Sequence, residues 1–286
     1  MSARLQIAIV AVLLVLIYRV TLVDSVIYRW KSDPNWSHGW LVPLFSLYFL
    51  GTQRKRLARL TLRSNWAGLA VLVGALAAYF YFIAVLPMGY PRVLSLIVAV
   101  LSIALLLGGW QLLRVVWFPI AFLVMAIPLP DQYYVKLTMP LRKLASEVAT
   151  VLLGLLPNLE TESSGVVIEF FNAATGNTGV LNVEEACSGM RLMMAFVTLG
   201  LAMAYLGQRP NWQRVIMVLC CVPIALFCNI IRVSVTGIIH VYDIESLASG
   251  TPHELLGLAM LPVALGLFAL VGWVLKNLFV EETEAA

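Results

Sequence analysis

The chain has 286 residues, 61% hydrophobic and 12% charged, whereas a soluble domain carries roughly 25% charged residues; a water-soluble fold is excluded. Its formal net charge of +4 forms no basic tail or patch, so nucleic acid is not among the expected partners. Apolar stretches of about 20 residues cross a bilayer as helices, because a backbone in lipid must satisfy its own hydrogen bonds. The expected fold is therefore an all-α polytopic membrane protein, organised as one domain over residues 1–286.

Eight apolar stretches are the expected transmembrane helices: 5–23, 40–50, 66–86, 93–107, 115–127, 189–206, 215–239 and 255–275. The first follows Arg4 and resembles the start of a signal peptide, but no small-x-small cleavage site precedes Arg19 and Asp24, which makes it an uncleaved helix. The short stretches are expected to be tilted, or kinked at Pro43 or Pro119. Segment 53–63, with Arg54, Lys55, Arg56, Arg59 and Arg63, belongs in the cytoplasm. Counting spans from it puts both termini inside, together with Arg114, Arg209, Arg214 and Lys276, while Arg29, Lys31 and Arg92 run against the bias.

The longest stretch without a span, 128–187, then faces outward. Residues 133–156 place apolar side chains at helical spacing with Lys136, Arg142, Lys143 and Glu147 between them, the pattern of an amphipathic helix in the membrane interface. Residues 165–171 and 179–183 read as two short strands about the turn-forming segment 172–178. This β-hairpin leads into Glu184, Glu185 and Cys187, just before the sixth span.

Four cysteines show neither a paired-disulfide pattern nor metal knuckles. Cys220, Cys221 and Cys228 share one apolar stretch, where cysteine acts as a small hydrophobe. Cys187 stands in a polar setting ahead of Ser188 and Gly189, where the sixth span begins, and a helix N-terminus lowers a thiol pKa from about 8.5 toward the nucleophilic thiolate. In the seventh span Asn229, Arg232, Thr236 and His240 fall within an arc of roughly 80°. An arginine inside a span costs about 3 kcal/mol on insertion scales and marks a functional site by default. Alone, Arg232 equally suits a structural arginine paired with a carboxylate or reaching lipid phosphate.

His253 follows Thr251 and Pro252, which suit the N-cap and first turn of the eighth span. That place favours a neutral, proton-accepting imidazole, and also suits a surface or capping histidine. His253-Glu254 begins like HExxH, but Gly257 stands where the second ligand would be, so no metal site is expected. The charge-based orientation puts Cys187, Arg232 and His253 on one outward face. A nucleophile, an oxyanion partner and a proton carrier account for acyl transfer without a metal or organic cofactor.

The residues Glu185-Ala186-Cys187-Ser188-Gly189, then Asn229-Ile230-Ile231-Arg232-Val233, then His253 before the last span, resemble the motifs of the exosortase and archaeosortase family. Asp33-Pro34-Asn35-Trp36-Ser37-His38-Gly39, followed by Pro43, is similar to that family's first outward loop, so the resemblance covers roughly residues 30–275. It implies a membrane-embedded cysteine peptidase or transpeptidase of the PEP-CTERM sorting type. Its partners would be exported, membrane-anchored proteins with a C-terminal signal made of a short motif, a membrane helix and a basic tail. The enzyme would cut near the motif through a thioester and pass the new carboxyl end to an acceptor, lipid or glycan. The resemblance also implies an inner-membrane location, a site facing the periplasm or exterior, and a host that makes exopolysaccharide or surface layers.

On this resemblance Cys187, Arg232 and His253 are the catalytic residues, and Asn229 matches the motif without a defined role. His38 fits a structural or substrate-pocket role. Arg191, one helical turn from Cys187 on the same face, rivals Arg232; the motif match at Arg232 leaves Arg191 in support of Cys187, with Ser188 adjoining. Glu184 and Glu185 are left to orient His253, bind Arg191 or meet a charged acceptor. Two other readings stay open: a purely hydrolytic membrane protease acting on the same substrates, and a transporter or scaffold whose polar stripe lines a path.

Overall fold

A helix in lipid keeps its backbone bonded internally and turns apolar side chains outward as well as inward. The computed structural model describes residues 3–183, 189–207, 209–242 and 251–278. Among them, four helices are long and apolar enough to cross a membrane: Ala67–Ala84, Gly89–Ala126, Asn211–Val241 and Leu255–Asn277, with a shorter apolar helix at Met193–Leu206. Val73, Phe80, Leu258, Leu270 and Trp273 on these helices are exposed, as lipid contact requires. The protein is a mostly helical, multi-pass membrane protein with one small sheet. It forms two compact units, Met1–Pro130 and Asp131–Ala286.

The first unit begins with α1 (Ala3–Thr21), which covers the first expected span and runs through a π-helical segment, Leu22–Ile27, into α2 (Tyr28–Ser32). A 3-10 segment (Pro34–Trp40), α3 (Leu41–Thr52) and the basic α4 (Arg54–Leu57) follow, then α5 (Ala67–Ala84) and α6 (Gly89–Phe122). Val26, Val93, Ile97, Val116, Ile120 and Ile127 form the core. Hydroxyls buried between the spans have partners: Tyr18 Oη lies 3.0 Å from Ser95 Oγ, and Tyr79 donates to the Ile17 carbonyl at 3.0 Å.

The expected spans 93–107 and 115–127 share one hydrogen-bonded run. If straight, its 38 residues would extend about 57 Å, nearly twice a hydrocarbon core of about 30 Å. The run breaks at Gly109, where φ is +67° and ψ −165°, and where a Cβ would collide with the Arg63 carbonyl. The break therefore falls at Gly109 rather than around Arg114, because glycine alone takes this angle so close to another backbone.

The second unit opens with α7 (Asp131–Leu153), then β1 (Leu159–Ser164), β2 (Val167–Asn172) and β3 (Asn177–Asn182). The expected hairpin is thus an antiparallel three-stranded meander in the order β1-β2-β3, and Gly165 sits in a turn rather than a strand. β1 reads LETESS and lacks the apolar alternation that marks a strand; it pairs because its inward Leu159, Thr161 and Ser163 meet α7. Thr161 Oγ1 donates to the Thr150 carbonyl at 3.0 Å, and Ser163 Oγ lies 3.2 Å from Ser146 Oγ.

On α7 the buried residues are Tyr134, Thr138, Arg142, Ala145, Ser146, Ala149 and Leu153, which fall within about 120° of arc. Tyr133, Leu137, Leu144 and Val151 are exposed. Arg142, expected among the charges on the wet side of an interfacial helix, is 7% exposed. The amphipathic pattern is real, but its small and polar stripe packs inward while apolar side chains face out.

Among the described residues four helices follow: α8 (Gly189–Leu206), α9 (Asn211–Leu219), α10 (Cys221–Val241) and α11 (Thr251–Leu278). Phe196, Met217, Cys221, Cys228, Met260 and Phe268 belong to the core they share. Cys221 and Cys228 are packed there as the small hydrophobes expected, and Cys220 is half-buried.

Gly109→Ala is expected to lower stability by at least about 1 kcal/mol through left-handed backbone strain and the collision. Gly74→Ala in α5, where an added Cβ meets nothing within 4 Å, should be neutral or gain up to about 1 kcal/mol. Thermal unfolding of the two variants in detergent checks the opposite signs.

Candidate active site

Residues 229–240 sit on α10, and burial divides the expected polar stripe. Arg232 is 0% exposed and Thr236 is also buried, whereas Asn229 is half-buried and His240 is exposed. Asn229 Oδ1, Ser234 Oγ and Thr236 Oγ1 are buried without a hydrogen bond among the described residues. Each such group costs about 1 to 3 kcal/mol if left unmade. Asn229 and Thr236 lie within about 60° of Arg232 around α10, so polar capacity gathers next to the guanidinium, while Ser234 falls about 200° away.

Two elements fix α10 against the chain leading to the sixth span. Val183, the last described residue of the sheet region, donates its N–H to the Val166 carbonyl at 2.8 Å. It packs in one cluster with Ala149 and Leu153 of α7 and with Val233 and Val241 of α10. Gly237 lets α7 come close, since a Cβ there would press on Leu153. The sheet thus carries the chain to the helix that bears Arg232, and the chain resumes at Gly189 as α8.

The sense of the helices follows from two contacts. Arg209, just past α8, donates to the Gly272 carbonyl at 2.8 Å, and Gln213 at the start of α9 donates to the Leu275 carbonyl at 3.3 Å. The C-terminal ends of α8 and α11 therefore lie together with the start of α9. So α8 and α11 run parallel, and α9 with α10 runs against them. Gly200, Cys221 and Phe268 share one level, because a Cβ on Gly200 would meet the Cys221 thiol and the Phe268 ring. From that level, eleven residues toward the opposite end lead to Gly189 on α8, Arg232 on α10 and Gly257 on α11, a climb of about 16 Å on each. Arg232 and Gly189 thus lie the same helical rise from that shared level, and the backbone of His253 lies one turn beyond Gly257, past Pro262 of α11.

Glu184, Glu185, Cys187 and Ser188 lie outside the described residues, as do the side chains of Arg191 and His253. The backbone of Arg191 falls in the first turn of α8 and that of His253 in the first turn of α11.

His38 belongs to the first unit. Asp33 caps its 3-10 segment by accepting the Asn35 N–H at 2.9 Å, Trp36 is fully buried, and His38 is 9% exposed. Gly39 leaves room for the Trp30 ring, whose Nε1 donates to the Ala126 carbonyl at 2.8 Å. Burial pushes the His38 pKa below its ordinary 6.5, against a smaller upward pull from the backbone of Met125 and Asn35. Both ring nitrogens are buried outside good hydrogen-bond geometry.

Sequence reasoning placed Arg142 on an amphipathic helix and missed its burial. Arg142 and Arg232 are the buried members among the described Asp, Glu, Lys and Arg side chains, and they lie on two helices packed against each other. The available signal was the ladder Tyr134, Thr138, Arg142 and Ser146, polar groups four residues apart on one helical face.

The family model described as transmembrane exosortase matches residues 30–270, close to the extent covered by the motifs, and the chain belongs to that family. No curated protein and no solved structure matches it.

A histidine with a depressed folded pKa lets the unfolded chain bind its proton first. The stability it contributes is therefore complete above about pH 6.5 and lost as pH falls through the unfolded value toward the folded one. Melting temperature should decline between about pH 7 and pH 5 in the wild type, and His38→Gln should flatten part of that decline. Identical slopes in the two proteins would remove His38 from the account.

Proposed function

From its membership of the transmembrane exosortase family, we propose that the protein is a membrane-embedded cysteine transpeptidase. It cleaves the C-terminal sorting signal of exported, membrane-anchored proteins and passes the new carboxyl end to an acceptor nucleophile. Cys187 gives its thiol proton to His253 and attacks the scissile carbonyl as thiolate. The negative charge that develops on the carbonyl oxygen is met by the Arg232 guanidinium. His253 gives a proton to the departing amine, leaving a thioester on Cys187, and takes one from the acceptor that resolves it. The single domain spans both compact units, both termini are cytoplasmic, and the site faces outward from the inner membrane, as the basic segment 53–63 requires.

The observation that carries this reading is the common level of Arg232 and Gly189, with Cys187 only two residues earlier in the chain. In this reading the fully buried guanidinium and the N-terminus of α8 each offer the thiolate positive potential. Asn229 and Thr236 offer further polar contacts on the same helix, Arg191 supports the thiolate from the first turn of α8, and Glu184, Glu185 and Ser188 complete the rim. His38 serves packing in the first unit.

Processing of an exported protein bearing such a signal, followed in its native host, tests the assignment. Cys187→Ala should abolish cleavage, while Cys220→Ala should keep it. Arg232→Lys should remain inserted but lose about 10²- to 10³-fold in rate, since a lysine lacks the planar fork. Hydroxylamine should release a substrate fragment from the wild type and none from Cys187→Ala. The mass of the new C-terminus separates transfer from hydrolysis. Undiminished processing in Cys187→Ala would defeat the cysteine mechanism.

A further inference from the structure

A cavity of about 290 Å³ in the first unit, near the lower end for small-ligand sites, takes no part in that chemistry. Asp24, Ser25 and Arg29 line one side of it, and Gly89, Tyr90 and residues 127–130 line the other. Two features set it apart from an incidental surface dent.

The first is how its charges converge. In an α-helix, residues five apart point about 140° away from each other. Here residues 22–27 are π-helical, and the Tyr28 N–H bonds the Val23 carbonyl five residues back. The wider turn brings Asp24 and Arg29 onto the same cavity. Such π turns are rare and recur at functional sites. Arg29 also meets Asp33 at 3.4 Å, which steadies the guanidinium. Asp24 is exposed and makes no ion pair among the described residues.

The second is where the cavity lies. It sits where the apolar α1 gives way to the π segment and where the long apolar helix starts at Gly89, at the level where lipid meets water. Val20 and Val23 before Asp24, and Val85 and Leu86 before Gly89, are exposed apolar side chains. A site with one carboxylate and one guanidinium, bordered by lipid-facing apolar surface, matches an amphiphile with a cation and an anion in its head. Tyr90 adds a hydroxyl, and the first N–H groups of α6, which receive no side-chain cap, add donors on the anion's side.

We propose that this cavity binds the head group of a zwitterionic phospholipid, its ammonium against Asp24 and its phosphate against Arg29, with the acyl chains along Val20, Val23 and Leu86. The lipid holds the start of α6 to the end of α1 at the membrane surface.

Native mass spectrometry of the detergent-purified full chain, titrated with dioleoylphosphatidylethanolamine or dioleoylphosphatidylglycerol, reads the affinity directly. The wild type should bind the ethanolamine lipid about fivefold more tightly than the glycerol lipid, which lacks the cation. Asp24→Asn, at an exposed side chain, should erase that preference. Gly89→Leu, whose Cβ meets only Ser25 Oγ at 3.7 Å, should fill the cavity and weaken both lipids. Equal binding of the two lipids by the wild type, or an unchanged preference in Asp24→Asn, would overturn the site. Displacement of the lipid by an equal concentration of soluble O-phosphoethanolamine would overturn the lipid assignment. None of these outcomes depends on Cys187, so they are independent of the acyl-transfer reading.

Discussion

A guanidinium with none of its surface exposed, on a helix that is otherwise largely apolar, is the constraint around which the second unit is arranged. An ion moved from water into an apolar interior costs several kcal/mol unless polar groups surround it. The unit answers with layers. The α7 helix turns its small and polar stripe toward α10, the three-stranded sheet packs on α7, and α8 and α11 flank α10 from the other side. The same arrangement packs Val183, at the end of the sheet region, against Val233, the neighbour of Arg232 on α10.

The membrane class was legible from composition, and the family from three short motifs, since both rest on residue identity. What failed to show in the sequence depends on partners. Strand β1 carries no apolar alternation and exists because Thr161 and Ser163 find acceptors and neighbours on α7. The break in α6 depends on the Arg63 carbonyl lying against Gly109, a contact between segments far apart in the chain. On α7 Lys136, Lys143 and Glu147 are exposed as an interfacial helix requires, and Arg142 departs from that pattern by packing inward. Periodicity reports that a helix has two faces, but in lipid the apolar face is as content outside as inside, so burial of Arg142 had to come from packing.

On α10 the spacing put Asn229, Arg232, Thr236 and His240 on one arc but could not say how deep each lies: Arg232 and Thr236 are buried, and His240 emerges near the helix end. The first-loop motif illustrates a different limit. Asp33, Trp36, His38 and Gly39 read as a loop, yet they form a capped 3-10 turn sealed by Trp30. Their residue types serve a packed junction, and a buried imidazole held neutral is compatible with that packing. In the second unit, long helices set heights that sequence spacing alone could not compare between helices.

The central claim is that the Arg232 guanidinium and the start of α8 together hold Cys187 as a thiolate. The rate of Cys187 alkylation by iodoacetamide, measured against pH on the purified protein and read at the Cys187 peptide by mass spectrometry, tests it most directly. The account predicts a midpoint clearly below the ordinary thiol value of about 8.5, moving upward in Arg232→Gln. A midpoint at the ordinary value that stays unchanged in Arg232→Gln would contradict it.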